Sequence, residues 1–212
     1  MLACGVAKLR ITYNAPVVLT FTLLSVAVML LPQETRVHYF SAHPRIVDGS
    51  SYLGMFTFIL GHGGWDHLIG NFMLILLVGP ILEERHGSVT LLFMMLVTAL
   101  VTGLVQLTTA DSVLMGASGI VFMMILLAST ANIREGEIPM TFIAVAAIYL
   151  GGEVYRAVAH TDNVSRMAHL LGGVSGAAFG FLSARGKRAV SGTEMKELRP
   201  AARKHPDVPN KP

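Results

Sequence analysis

Six runs of apolar residues divide the chain: Val17–Leu31, Leu68–Leu82, Val89–Thr108, Gly119–Ala131, Ile138–Gly151 and Met167–Ala184. A helix crossing a lipid core needs about 20 mostly apolar residues, and fewer where it ends inside the protein beside a water-filled cavity. The pattern therefore predicts an all-α membrane protein with six transmembrane helices. Several of the runs are short, which fits helices that end at such a cavity. Thr109–Ala117 reads as a re-entrant connection. Residues 32–66 form a long mixed connection, in which "YLGMFTFIL" (52–60) is apolar enough to lie in the interface or against the bundle. Gly79-Pro80 predicts a kink in the second run.

Composition agrees. The chain of 212 residues is 53% hydrophobic and 14% charged, against roughly 25% charged in a soluble domain. Lys8 and Arg10 ahead of Val17–Leu31 imitate a signal peptide. No small-residue cleavage site follows, so this run is expected to remain as a membrane anchor. Cys4 is the single cysteine, which excludes an internal disulfide and a cysteine metal cluster. Alternating spans leave four of the 16 Lys and Arg on one side, namely Arg36, Arg45, Arg156 and Arg166. The rest fall with the two termini, which are therefore expected to be cytoplasmic, most simply in a cell membrane. The chain divides into a cytoplasmic segment 1–16, a membrane domain 17–185 and a basic tail 186–212. The tail suits anionic lipid; no nucleic-acid partner is implied.

Polar groups inside membrane segments are costly, so they mark function by default. Here they are His67, Asn71, Gln106, Ser118 and His169, with Glu83 and Glu84 at a helix end. In "LMGASGIVFMM" (114–124), Ser118 sits between Gly116 and Gly119 at the start of an apolar run. It reads as a helix N-cap. It also reads as a nucleophile, with free N–H groups and the positive end of a helix beside it. His169 opens "HLLGGVSGAAFG" (169–180) and shares one helical face with Gly172, Gly176 and Gly180, a smooth stripe suited to close helix packing. It would bond a neighbouring helix or, if that helix begins at Ser118, take the serine proton. His67 and Asn71 are four apart on one face and can donate toward a developing oxyanion. His62 and His67 lack the third ligand and the spacing of a zinc site, so no metal is expected. Trp65 suits an interfacial anchor.

"HGGWDHLIGNFMLILLVGPILEERHG" (62–87), then "GASG" (116–119), then "AHLLGGVSGAAFG" (168–180) resemble, in order and spacing, the rhomboid family of intramembrane serine proteases. The resemblance covers residues 52–184. It implies a six-helix rhomboid-like bundle and a Ser–His dyad with no third acid and no cofactor. Ser118 would be the nucleophile and His169 the base. His67, Asn71 and the Ser118 amide would form the oxyanion hole, with Gly116, Gly119, Gly172 and Gly176 in support. Glu83 would take a structural position at the cytoplasmic end of the second span. The implied partners are single-span membrane substrates within the lipid bilayer. The Pro139 start and small residues Ala144, Ala146 and Ala147 of Ile138–Gly151 suggest modest packing, so this is the span expected to move and admit them. A non-catalytic rhomboid-like protein that binds membrane clients is the alternative; such proteins typically lack the dyad. One departure is clear: the Trp-Arg pair that many rhomboids carry in the first long loop is absent from "SSYLGMFTF" (50–58).

Overall fold

A computed structural model describes residues 11–46, 48–109, 113–130, 137–159 and 166–183. The N-terminal segment with Cys4, Lys8 and Arg10, part of the re-entrant stretch, Arg134 and the basic tail lie outside the described residues. Within them the chain is all-helical. The helices are α1 (Pro16–Met29), α2 (Gln33–Tyr39), α3 (Gly49–Thr57), α4 (Trp65–His86), α5 (Ser88–Thr109), α6 (Ser118–Ser129) and α7 (Met140–Ala159), followed by α8 over 166–183. One isolated antiparallel bridge joins Ala42 and Leu114.

Each apolar run seen in the sequence overlaps one helix, and two helices reach well past their runs. α4 keeps its polar ends, Trp65-Asp66-His67 and Glu83–His86, in helical form, and α7 continues to Ala159. α6 is the centre of the bundle. Gly119–Met124, Leu126 and Leu127 are buried on all sides, as expected for a helix with no polar face. It packs against α4, α5 and α7 and, at its glycine contacts, against α8.

α4 and α5 show the opposite distribution. Ile69, Met73, Leu77 and Ile81 form one exposed stripe along α4, and Val89, Phe93 and Leu96 point outward from α5. α4 and residues Ser88–Leu107 are long and apolar enough to cross a membrane. α1, α6 and Met140–Tyr149 are apolar but shorter.

α1 is held on α4 at two points. Gly79 receives Val18 so closely that a Cβ there would meet Val18 Cγ2 at 2.7 Å. α4 runs as one helix through Pro80. One turn on, the buried Glu83 carboxylate accepts from Val17 N–H at 2.9 Å, Val18 N–H at 3.0 Å and the Ser88 hydroxyl at 2.7 Å. A carboxylate at the start of α1 satisfies N–H groups that have no intrahelical acceptor and complements the helix dipole.

The connection over residues 32–66 holds two short helices and packs on the bundle. Asp48 starts α3 through a capping box with Ser51. α3 then lies on α5 at Gly103, where a Cβ would meet the Met55 carbonyl at 2.7 Å.

Candidate active site

His67, Ser118 and His169 come from three helices, α4, α6 and α8, and each lies in the first turn or two of its helix. Two close contacts tie them together.

The first contact joins α4 to the chain leading into α6. Gly116 has φ +137°, a left-handed conformation that side chains disfavour. A Cβ there would lie 2.7 Å from His67 Cε1 and 2.9 Å from Nε2. Both its backbone angle and its lack of a side chain let the His67 ring lie against the residues before Ser118.

The second contact joins α6 to α8. A Cβ on Gly172 would run into the Gly119 carbonyl, and one on Gly176 into the Met123 carbonyl. A Cβ on Gly119 would lie 3.2 Å from the Ala168 carbonyl. The two backbones therefore touch at the residues next to Ser118 and His169. The glycine stripe that begins three positions after His169 packs on α6. His169 itself lies flat on Phe122, with ring centroids 4.5 Å apart and planes 5° from parallel. Phe122 is one turn beyond Ser118 on the same face. Phe122 also packs at right angles to Tyr149 of α7, with ring centroids 5.6 Å apart.

Ser118 is the first helical residue of α6. The N-cap is Ala117, and no side chain caps this helix. The N-cap role open to a serine here is therefore not the one it takes. The first N–H groups of α6 have no intrahelical acceptor and can receive an anion. Asn71, one turn into α4 from His67, is buried, and its Nδ2 has no hydrogen-bond partner among the described residues. A buried amide without a partner is costly in a finished fold and useful where an oxygen appears only during reaction.

His62 is fully buried in the turn before α4. Its Nδ1 is 3.2 Å from the Leu60 carbonyl. Its Nε2 lies 3.4 Å from the Ala117 amide, which donates to it. Its ring meets the edge of His67 at 5.1 Å. Burial pushes the His62 pKa down to about 4; the Leu60 bond opposes the shift and His67 adds to it. Among the described residues no three His, Cys, Asp or Glu side chains group as a metal site.

The sequence reading did not identify Phe122 or the link from His62 to Ala117. Phe122 was detectable as an aromatic one turn from Ser118. The His62 link had no local signal, because its partner lies 55 positions away.

The Rhomboid domain profile matches residues 49–186. Rhomboid-related protein 1 of Caenorhabditis elegans is 32% identical over 139 residues, which cover 59% of this chain and 38% of that protein. The chain thus spans well under two thirds of that relative's length.

Proposed function

The chain belongs to the rhomboid family and is an integral membrane protein, and from that premise we propose that it is an intramembrane serine endopeptidase cutting single-span membrane proteins in or beside their transmembrane segment. On this reading α1 and α4–α8 are the six spans. Both termini are cytoplasmic, and the end of the bundle holding Ser118 opens to the opposite side. The outward apolar stripe of α4 supports contact with lipid, because in water so long an exposed stripe would promote association.

The observation that carries the proposal is the stacking of His169 on Phe122, one turn from Ser118, at a crossing where two glycine-lined backbones touch. A serine hydroxyl needs a base to become a good nucleophile. His169 takes the Ser118 proton as Oγ attacks the scissile carbonyl. The carbonyl electron pair moves onto its oxygen, where His67, Asn71 Nδ2 and the Ser118 N–H stabilise it. The intermediate collapses, the C–N bond breaks, and the leaving amine takes the proton from His169. Water then attacks the acyl-enzyme by the same route. Phe122 supports the base by fixing the plane of its ring. No metal or cofactor enters this scheme.

A substrate reaches Ser118 sideways from lipid. α7 is the element we assign to that path, because its Tyr149 packs on Phe122, the ring that stacks on His169. Client binding without chemistry would need neither a serine at the start of α6 beside a helix that carries His169 nor an unsatisfied Asn71 amide.

A fluorophosphonate, which reacts with activated serines, tests the proposal. The purified protein should be labelled once, on Ser118, and Ser118→Ala should abolish the label. An unlabelled wild-type protein in a folded, lipid-reconstituted state would instead favour the client-binding role.

A further inference from the structure

The backbone leading into Ser118 is held at three places, all from residues 42–62. Ala42 and Leu114 exchange two hydrogen bonds of 2.8 and 2.9 Å, and the Gly116 N–H donates to the Phe58 carbonyl at 3.0 Å. The third is the Ala117 N–H on His62 Nε2 at 3.4 Å. The first two are backbone to backbone. The third depends on a side chain and acts on the residue directly before Ser118.

One contact fixes that side chain and another its main chain. The Nδ1–H donates to the Leu60 carbonyl, which leaves the Nε2 lone pair free to accept. Only this neutral tautomer satisfies both bonds, and the burial of the ring favours it. The His62 carbonyl in turn accepts Arg36 Nη1 at 2.6 Å, and the same Nη1 lies 3.1 Å from Met29 Sδ. Arg36 stands on α2, outside the residues matched by the family profile. The path runs α2, Arg36, His62, Ala117, Ser118.

We propose that Arg36 and His62 are positioning residues for the nucleophile: Arg36 fixes the His62 main chain, and the His62 ring aims the Gly116–Ala117 peptide that leads into Ser118. The inference rests on the protease reading above. The Ala117 bond is long, so it adds little binding strength; it sets the direction of the peptide whose next N–H faces the oxyanion. Displacement of such a group by about 1 Å can cost about 100-fold in rate.

The test compares second-order rates of fluorophosphonate labelling, together with thermal midpoints, in four variants of the full chain. His62→Gln places an amide oxygen where Nε2 sits and keeps the Ala117 bond. His62→Asn keeps only the Leu60 side. Arg36→Met removes the guanidinium at similar length, and Arg36→Lys restores one donor. The expected result is a rate within about threefold of wild type for His62→Gln and Arg36→Lys. His62→Asn and Arg36→Met should fall by about 10- to 100-fold. The double variant Arg36→Met/His62→Asn should be no slower than His62→Asn alone.

Wild-type rates in His62→Asn would overturn the inference and leave the protease reading intact. Equal losses in His62→Gln and His62→Asn, at matched thermal midpoints, would also overturn it. If the His62 variants do not fold, Arg36→Lys against Arg36→Met decides alone, equal rates overturning the inference. A wild-type chain that takes no label overturns both readings at once.

Discussion

His169 lies parallel to Phe122 at 4.5 Å, so the ring of the candidate base is oriented by an aromatic face one turn beyond the candidate nucleophile. Offset or parallel ring pairs contribute about 0.5–1.5 kcal/mol beyond buried area. Their effect here is mainly on direction, because a flat neighbour limits rotation of the imidazole.

Phe122→Leu keeps an apolar side chain at the cost of a small void, so it should keep the fold, and it should slow cleavage. The expected loss is about 10-fold in kcat with KM little changed, in line with a misoriented general base. Phe122→Tyr retains the ring face and should stay near wild type. Steady-state kinetics on a single-span substrate in detergent or vesicles measure both.

Asn71→Ala removes a buried donor that has no partner among the described residues. Loss of one oxyanion donor typically costs about 100- to 1,000-fold in kcat. Stability should hold or rise slightly, because an unpaired polar group leaves the interior. A lowered thermal midpoint with unchanged kcat would assign Asn71 to structure instead.

Gly172→Ala places a methyl where the Gly119 carbonyl lies. Backbone is in the way there, so the helices must separate. The expected cost is about 1–3 kcal/mol of stability, as for other overpacked sites, with loss of fluorophosphonate labelling as His169 withdraws from Ser118. Val174→Ala, at an exposed position of the same helix, should change neither. Thermal denaturation and labelling, run on both variants, provide the comparison.

His62 gives the fold an acid sensitivity. Its pKa is pushed from the ordinary 6.5 down to about 4. Between those values the unfolded chain binds a proton at this residue and the folded chain does not. Its contribution to stability is therefore complete above about pH 6.5 and is lost progressively as pH falls toward 4. Burial is the main cause of the shift, the neighbouring His67 adds to it, and the Leu60 bond opposes it. The thermal midpoint of wild type should drop more steeply from pH 7 to pH 4.5 than that of His62→Gln.

How much of this was legible in the sequence follows from how far each signal reaches. The apolar runs marked the helices because burial or lipid contact demands continuous apolar surface. Their ends were less legible. α4 reaches Glu83–His86 because Glu83 is needed at the start of α1, a contact 66 positions away. α2, "QETRVHY", shows no apolar period, and α3 contains Gly49 and Gly54, so both read as loop. The glycine stripe after His169 was legible because its spacing is local to one helix. Ser118 as the first helical residue was not, since an N-cap and an N1 serine look alike in a one-dimensional pattern. The brace from Arg36 through His62 was invisible because it joins three separate segments.

The most direct measurement is cleavage of a single-span membrane substrate by the purified chain in lipid vesicles, beside Ser118→Ala and His169→Ala. The account predicts a defined cut by wild type and none above background by either variant, with all three equally folded. Undiminished cleavage by Ser118→Ala would contradict it.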